Sequence, residues 1–239
     1  MIVSLSTEEL YEYIRHQLDA LFYDKYKFAG ADIKPSIRLA LERIEFCYAH
    51  VTLKNYHTEN GEICFNHLHG DQYAQFLYYF SNSLWDLSQN RPICDKVIQL
   101  NKALNGLFIS YNAGLPDIFA WVHPIGTILG NAEYSDYFAC NQECTVGTRL
   151  NRGENGGTPK LGRGLFLGAG AKIIDYQNSI GDRVMIGAGT VLFKGPVPDD
   201  SLVIRNTSGE LQLRSHSLED YRLRMKDIFK MDGLINDKD

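Results

Sequence analysis

Histidine titrates nearest to working pH, which makes it the first side chain to check for proton chemistry. The chain has seven: His16, His50, His57, His67, His69, His123 and His216. His123, followed by Pro124, stands alone at the start of a Gly-rich stretch. It reads either as a general base or as a structural histidine at a domain junction. His67, His69 and Asp71 fall together in NHLHGDQY. Two histidines and one carboxylate are weak grounds for a metal site, and none is assigned. The plainer reading is a helix start, where Asp71 would suit the dipole. A catalytic imidazole needs an orienting group, often a carboxylate. Asp117 and Asp71 are the candidates, although Asp117, following Pro116, fits a plain turn residue equally well.

The elements that must position these groups follow two periods. Between Leu161 and Gly189 the chain reads LGRGLFLGAGAKI and then IGDRVMIGAG. Aliphatic-Gly pairs recur six residues apart at Leu161-Gly162 and Leu167-Gly168, and again at Ile180-Gly181 and Ile186-Gly187. That rhythm predicts a parallel β-helix with three short sides per coil. One aliphatic side chain per hexad points inward, and a Gly or small residue permits each tight corner. The polar, Gly-rich run from Arg149 to Thr158 is expected to project as a loop, and Asp175–Asn178 as a shorter excursion. Pro196-Val197-Pro198 is expected to end the pattern.

Before Pro116 the period is helical. Ser6 with Glu9 predicts a capping box, with Leu10, Ile14, Leu18 and Leu21 inward. A second helix is expected over Ser36–Val51 (Ile37, Leu41, Ile44 and Tyr48 on one face) and a third from near Asp71 (Tyr73, Phe76, Leu77, Phe80, Leu84 and Leu87). A fourth opens on Pro92, with Ile93, Val97, Leu100, Leu104 and Phe108 inward. One amphipathic helix is expected over Leu218–Met231. The domain reading is 1–116 helical, 117–205 β-helix and 206–239 a tail with a helix, which is an α+β fold class.

Composition narrows the partners. The net charge is −5 and there is no Lys/Arg-rich run, so no nucleic-acid footprint is expected. Five cysteines without a CxxC read as reduced thiols in the cytoplasm. No apolar run nears the roughly 20 residues of a membrane span, and the N-terminus acquires charges too early for a secretory signal.

The runs HPIGTILGNAE, NQECTVGT, TPKLGRGLFLGAGAKI, IGDRVMIGAGTVL and PVPDDS, within His123–Val203, resemble the hexapeptide-repeat acyltransferases, and most of all the serine O-acetyltransferases. The resemblance implies a left-handed β-helix, acetyl-CoA as donor, and a homotrimer or dimer of trimers with sites between subunits. It implies His123 as general base, with one residue skipped to keep register. The helical half would form a polar lip, where His69 and Asp71 handle the acceptor; Arg149 and Arg152 read either as a substitute cation from a longer loop or as solvated loop charges. Gly147, Thr148, Gly168, Ala169, Gly187 and Ala188 would line the pantetheine arm, and Lys194, Lys172 or Arg205 would meet the CoA phosphates. The chain departs from the family at Val122, where an acidic residue precedes the catalytic histidine, and at Gly157-Thr158, where an Arg-His pair is usual. Its last residue, Asp239, does not match the Ile with which the family docks the next enzyme of cysteine synthesis.

Acetyl transfer to a hydroxyl requires a base, donors for the developing oxyanion, and a groove that aligns the two partners. The first reading is therefore an O-acetyltransferase acting on serine or a related small acceptor. The departures motivate a second, acetylation of a sugar hydroxyl or amine in surface-polysaccharide synthesis. The third is a non-catalytic β-helix assembly protein.

Overall fold

The computed structural model describes residues 1–147, 158–174, 179–193 and 195–236. The chain divides into two compact units, one of Met1–Ala49 with Lys54–Asn112, the other of His50–Leu53 with Ala113–Asp239.

In the first unit a short parallel pair, β1 (Ile2–Val3) and β2 (Cys64–Phe65), accompanies four helices. Helix α1 (Thr7–Leu21) starts on the predicted box: Glu9 N–H donates to Ser6 Oγ at 3.3 Å and Ser6 N–H to Glu9 Oε2 at 2.8 Å. Leu10, Ile14 and Leu18 are buried, but Leu21 is exposed because the helix ends there. Helix α2 (Ile33–Tyr48) stops before Val51, which pairs instead with Phe229. Helix α3 (Gly70–Ser88) stacks Tyr73, Phe76 and Phe80 one turn apart on its buried face. Helix α4 (Arg91–Asn105) carries Pro92 in its first turn, where no N–H is needed, and ends on Gly106 at φ +63°. Phe108 falls outside α4, in the short strand β3 (Phe108–Ile109).

The second unit is a three-sided parallel β-helix. Its first side stacks β4 (Phe119–Trp121), β7 (Phe138–Cys140), β10 (Phe166–Leu167), β12 (Met185–Ile186) and β14 (Ser201–Arg205). The second side stacks β5 (Ile128–Leu129), β8 (Thr145–Gly147), β11 (Lys172–Ile174) and β13 (Val191–Leu192). The third stacks β6 (Glu133–Tyr134) and β9 (Lys160–Leu161), continued by single bridges at Ile180 and Val197. The inward positions form continuous ladders. Trp121, Cys140, Leu167, Ile186 and Val203 lie in register on the first side, and Leu129, Val146, Ile173 and Leu192 on the second. All are buried, each worth about 1.5–3 kcal/mol for the larger aliphatics.

The glycine of each aliphatic-Gly pair sits where one coil touches the next. A Cβ on Gly162 would collide with Gly181 O, and one on Gly168 would lie 2.8 Å from Ala188 N. Two of the corners also step through left-handed backbone. Between the third and first sides the residues with positive φ are Tyr137, Gly164, Arg183 and Asp200; between the first and second they are His123, Gly126, Glu143, Gly170 and Gly189.

Beyond the coils the structure differs from the sequence reading. Pro196-Val197-Pro198 does not end the stack, because Val197 is buried beside Ile180 and β14 adds a further rung. Strand β15 (Leu211–Ser215) then folds back antiparallel on β14. The single expected terminal helix is two, α5 (Leu218–Met225) and α6 (Met231–Asn236). This segment descends the corner between the third and first sides. His216 N–H donates to Asp200 O at 2.9 Å, and His216 Nε2 lies 2.9 Å from Arg183 O. Tyr221 donates its hydroxyl to Gly164 O at 2.6 Å. Arg163 Nη2 reaches Gly233 O at 2.7 Å, and the Tyr137 ring meets Phe229 edge-on at 5.3 Å. Residues 50–53 join this unit through Thr52 N–H to Ile228 O and Lys230 N–H to His50 O, both 2.8 Å. Among the described residues no helix is long and apolar enough to cross a membrane.

Candidate active site

The corner between the first and second sides repeats one tight turn. Gly168–Ala171 closes with Ala171 N–H to Gly168 O at 2.9 Å, and Gly187–Thr190 with Thr190 N–H to Gly187 O at 3.2 Å. The third residue of each, Gly170 at φ +71° and Gly189 at φ +67°, needs the left-handed region that glycine enters without cost. Pro124–Thr127 makes the same turn, with Thr127 N–H to Pro124 O at 3.1 Å and Gly126 at φ +74°.

His123 stands at this corner, and the first coil is built differently there. In coils three and four the turn follows Leu167 and Ile186 directly; in coil one Val122 and His123 intervene between Trp121 and the turn. The excess is two residues. Val122 N–H still bonds Cys140 O at 2.9 Å, so the chain leaves the strand at His123 itself. His123 has φ +51°, a conformation that costs a non-glycine residue about 1–2 kcal/mol, and Ile125 N–H folds back to His123 O at 2.7 Å around Pro124. The residue is exposed. Strain of this kind concentrates at functional positions.

Sequence reasoning overlooked Glu143. It occupies the corner position that holds glycine in the other three coils, at φ +60°. Its N–H bonds Ile125 O at 2.9 Å, and its Cγ lies 3.3 Å from where a Cβ on Gly126 would be. A charged residue breaking an otherwise all-glycine position was the available signal.

The remaining expected site residues divide. Gly168-Ala169 and Gly187-Ala188 share the His123 corner, two and three coils away, roughly 10 and 14 Å along the axis. Gly147 lies at the far end of β8, at the next corner. A Cβ there would meet only ordinary contacts at 3.6 and 3.7 Å, so coil packing does not demand glycine. Thr148, Arg149 and Lys194, with the loop expected over Arg149–Thr158 apart from Thr158, and Asp175–Asn178, lie outside the described residues. Lys172 is tied to its own corner through Gly170 O at 3.2 Å, and Arg205 to its hairpin through Gly209 O at 2.7 Å.

Asp117 does not accompany His123. The two flank β4 at opposite ends, and the extended strand between them keeps them apart. Asp117 lines a cleft of about 550 Å³ with Pro116, Tyr134, Asp136 and Arg163. His69 and Asp71 begin α3 in the helical unit. His69 holds the N-cap position without a side-chain cap; its ring is edge-on to Tyr56 at 5.9 Å. Asp71 lies in the first turn, where the dipole favours it. Burial, reinforced by the Asp71 charge, pushes the Tyr56 phenol well up. His67 is held by Ser4 Oγ at 2.8 Å, and burial pushes its imidazole down. No group of three or more His, Cys, Asp or Glu that could hold a metal ion occurs among the described residues.

Helices followed by a three-sided parallel β-helix are the fold of the left-handed β-helix proteins. The solved structures that share it here are serine acetyltransferases. That of Neisseria gonorrhoeae is 18% identical over 98% of this chain and 85% of its own, with a TM-score of 0.59. A soybean serine acetyltransferase complexed with serine is 21% identical, covers 75% of this chain and 70% of its own, and has a TM-score of 0.55. A serine acetyltransferase in complex with CoA is 18% identical over 86% and 76%, with a TM-score of 0.52. No protein-family model matches the chain, and no curated protein matches it in sequence.

Proposed function

We propose that this chain is an acetyl-CoA-dependent O-acetyltransferase acting on the hydroxyl of serine or a related small acceptor, with His123 as general base. The observation that carries the reading is the insertion of Val122-His123 into an otherwise regular corner. It places a strained, exposed imidazole at one end of a line of small residues, Gly168-Ala169 and Gly187-Ala188. Bare corners of this kind let an extended thioester arm lie close to backbone. The CoA-bound and serine-bound neighbours support the donor and the acceptor class.

When bound, acetyl-CoA supplies the activated acyl group. His123 takes the hydroxyl proton as the acceptor oxygen attacks, then returns it to the departing sulfur. The N–H groups of Gly170 and Gly189 donate to Gln142 O and Ala169 O within the coil stack, so the oxyanion donors come from elsewhere on the corner. Glu143, on the neighbouring turn, is the carboxylate we place beside His123 in preference to Asp117. A trimer with sites between subunits completes the proposal.

Thiol release from acetyl-CoA, measured against serine, other small alcohols and nucleotide sugars, tests it. Turnover on serine or a small alcohol is the expected result. Turnover on a sugar alone would move the acceptor class, and none on any acceptor would remove the enzyme reading.

A further inference from the structure

Strand β15 ends the first side, with β14 on one edge and, among the described residues, no strand on the other. Two bonds flanking the ladder, Asn206 N–H to Glu210 O at 3.0 Å and His216 N–H to Asp200 O at 2.9 Å, fix its phase. Even-numbered residues turn their backbone groups toward β14; Leu211, Leu213 and Ser215 turn theirs to the open edge. Open edges of this kind are templates for pairing with another strand. Leu211 and Leu213 are also 50% and 51% exposed, on the same face of the strand.

The sequence of this edge is charge-palindromic. Glu210-Leu211-Gln212-Leu213-Arg214 reads acid, Leu, Gln, Leu, base, symmetric about Gln212. We propose that β15 is a self-docking edge through which two copies of this chain join in an antiparallel β15–β15 ladder centred on Gln212. That register sets Leu211 opposite the second copy's Leu213 and Leu213 opposite its Leu211. Because all of these face the open edge, the two pairs exchange four backbone hydrogen bonds. Gln212 meets its own copy, and Glu210 meets Arg214 twice, in non-hydrogen-bonded pairs where side chains approach most closely. Any other register loses either the opposite charges or the Leu-on-Leu pairs. The contact is isologous, as a two-fold axis requires, and it continues the first side of one β-helix into the same side of the next.

The test is sedimentation equilibrium of the full chain over a concentration series. The particle mass is expected to double as concentration rises. L213P removes an N–H that faces the open edge, a place where proline is tolerated, and should hold the mass at the lower value with an unchanged circular-dichroism spectrum. E210R sets like charges opposite each other and should do the same; E210R/R214E restores the opposite charges and should restore doubling. Should L213P unfold, the charge-swap arm decides. A mass that never doubles, a doubling indifferent to both single substitutions, or a double swap that fails to rescue would each overturn the proposal.

Discussion

At the corner carrying His123 the turn position of successive coils is held left-handed by Gly126, Glu143, Gly170 and Gly189, with His123 itself an additional left-handed residue; at the corner between the third and first sides the row is Tyr137, Gly164, Arg183 and Asp200. The backbone step is the same, but one row is three-quarters glycine and the other one-quarter. The second corner is covered. Arg183 and Asp200 form a two-pronged pair at 2.6 and 2.8 Å, and the C-terminal segment binds the row rung by rung. Those contacts offset the cost of about 1–2 kcal/mol that each non-glycine residue incurs there. At the His123 corner, by contrast, a Cβ on Gly189 would meet nothing within 4 Å among the described residues. Glycine there answers to φ alone and leaves bare backbone. One corner is covered by the protein's own C-terminal segment; at the other, Gly189 leaves its backbone bare among the described residues.

The contrast can be broken most sharply at His123. His123→Ala should lower kcat/KM for acetyl transfer by about 100-fold or more and leave the melting temperature nearly unchanged; turnover within a few-fold of the parent would remove the base assignment. Next is Gly164→Ala, which combines φ +74° with a Cβ placed against the Tyr221 hydroxyl. Chemical denaturation should show a loss of roughly 2–4 kcal/mol, against about 1 kcal/mol for Gly189→Ala, where only φ is at stake. Equal losses would mean that the two corners do not differ as described. Tyr221→Phe leaves the Gly164 carbonyl without that donor and should cost about 1–2 kcal/mol, with kcat unaffected. The smallest effect is acidic. Side-chain and backbone hydrogen bonds from Ser217 hold the Asp220 carboxyl below its ordinary 3.8. A depressed carboxyl stabilises the fold above its unfolded value and loses that contribution as pH falls through the folded one. Hydrogen exchange in α5 should therefore quicken below about pH 4 before the coils respond.

The β-helix was legible because its cause is local. Every coil needs an inward aliphatic and a residue without a Cβ where coils touch, so Leu161-Gly162 and Ile186-Gly187 print the fold into the sequence. His123 stood out in the sequence as the one histidine at the entry to that pattern. The covering segment was not. Tyr221 to Gly164 and Arg163 to Gly233 join residues that share no period and lie far apart in the chain. Asp117 is near His123 in sequence but not in the fold, because β4 carries the chain from one corner to the next. Val197 misled because prolines on both sides suggested a stop, whereas burial against Ile180 kept it in the stack.

Stacked coils ordinarily unfold as a one-dimensional array, each rung sensing only its neighbours, so the ends fray first. The returning segment changes that connectivity. It meets the rungs in reverse order, from Asp200 down to Tyr137, and ties the last coil formed to an early one. The array becomes a closed circuit of contacts in which no coil can open from the C-terminal end without releasing several others. Such a molecule is expected to melt in one sharp transition, and its refolding is expected to wait for the longest closure rather than for the coils themselves.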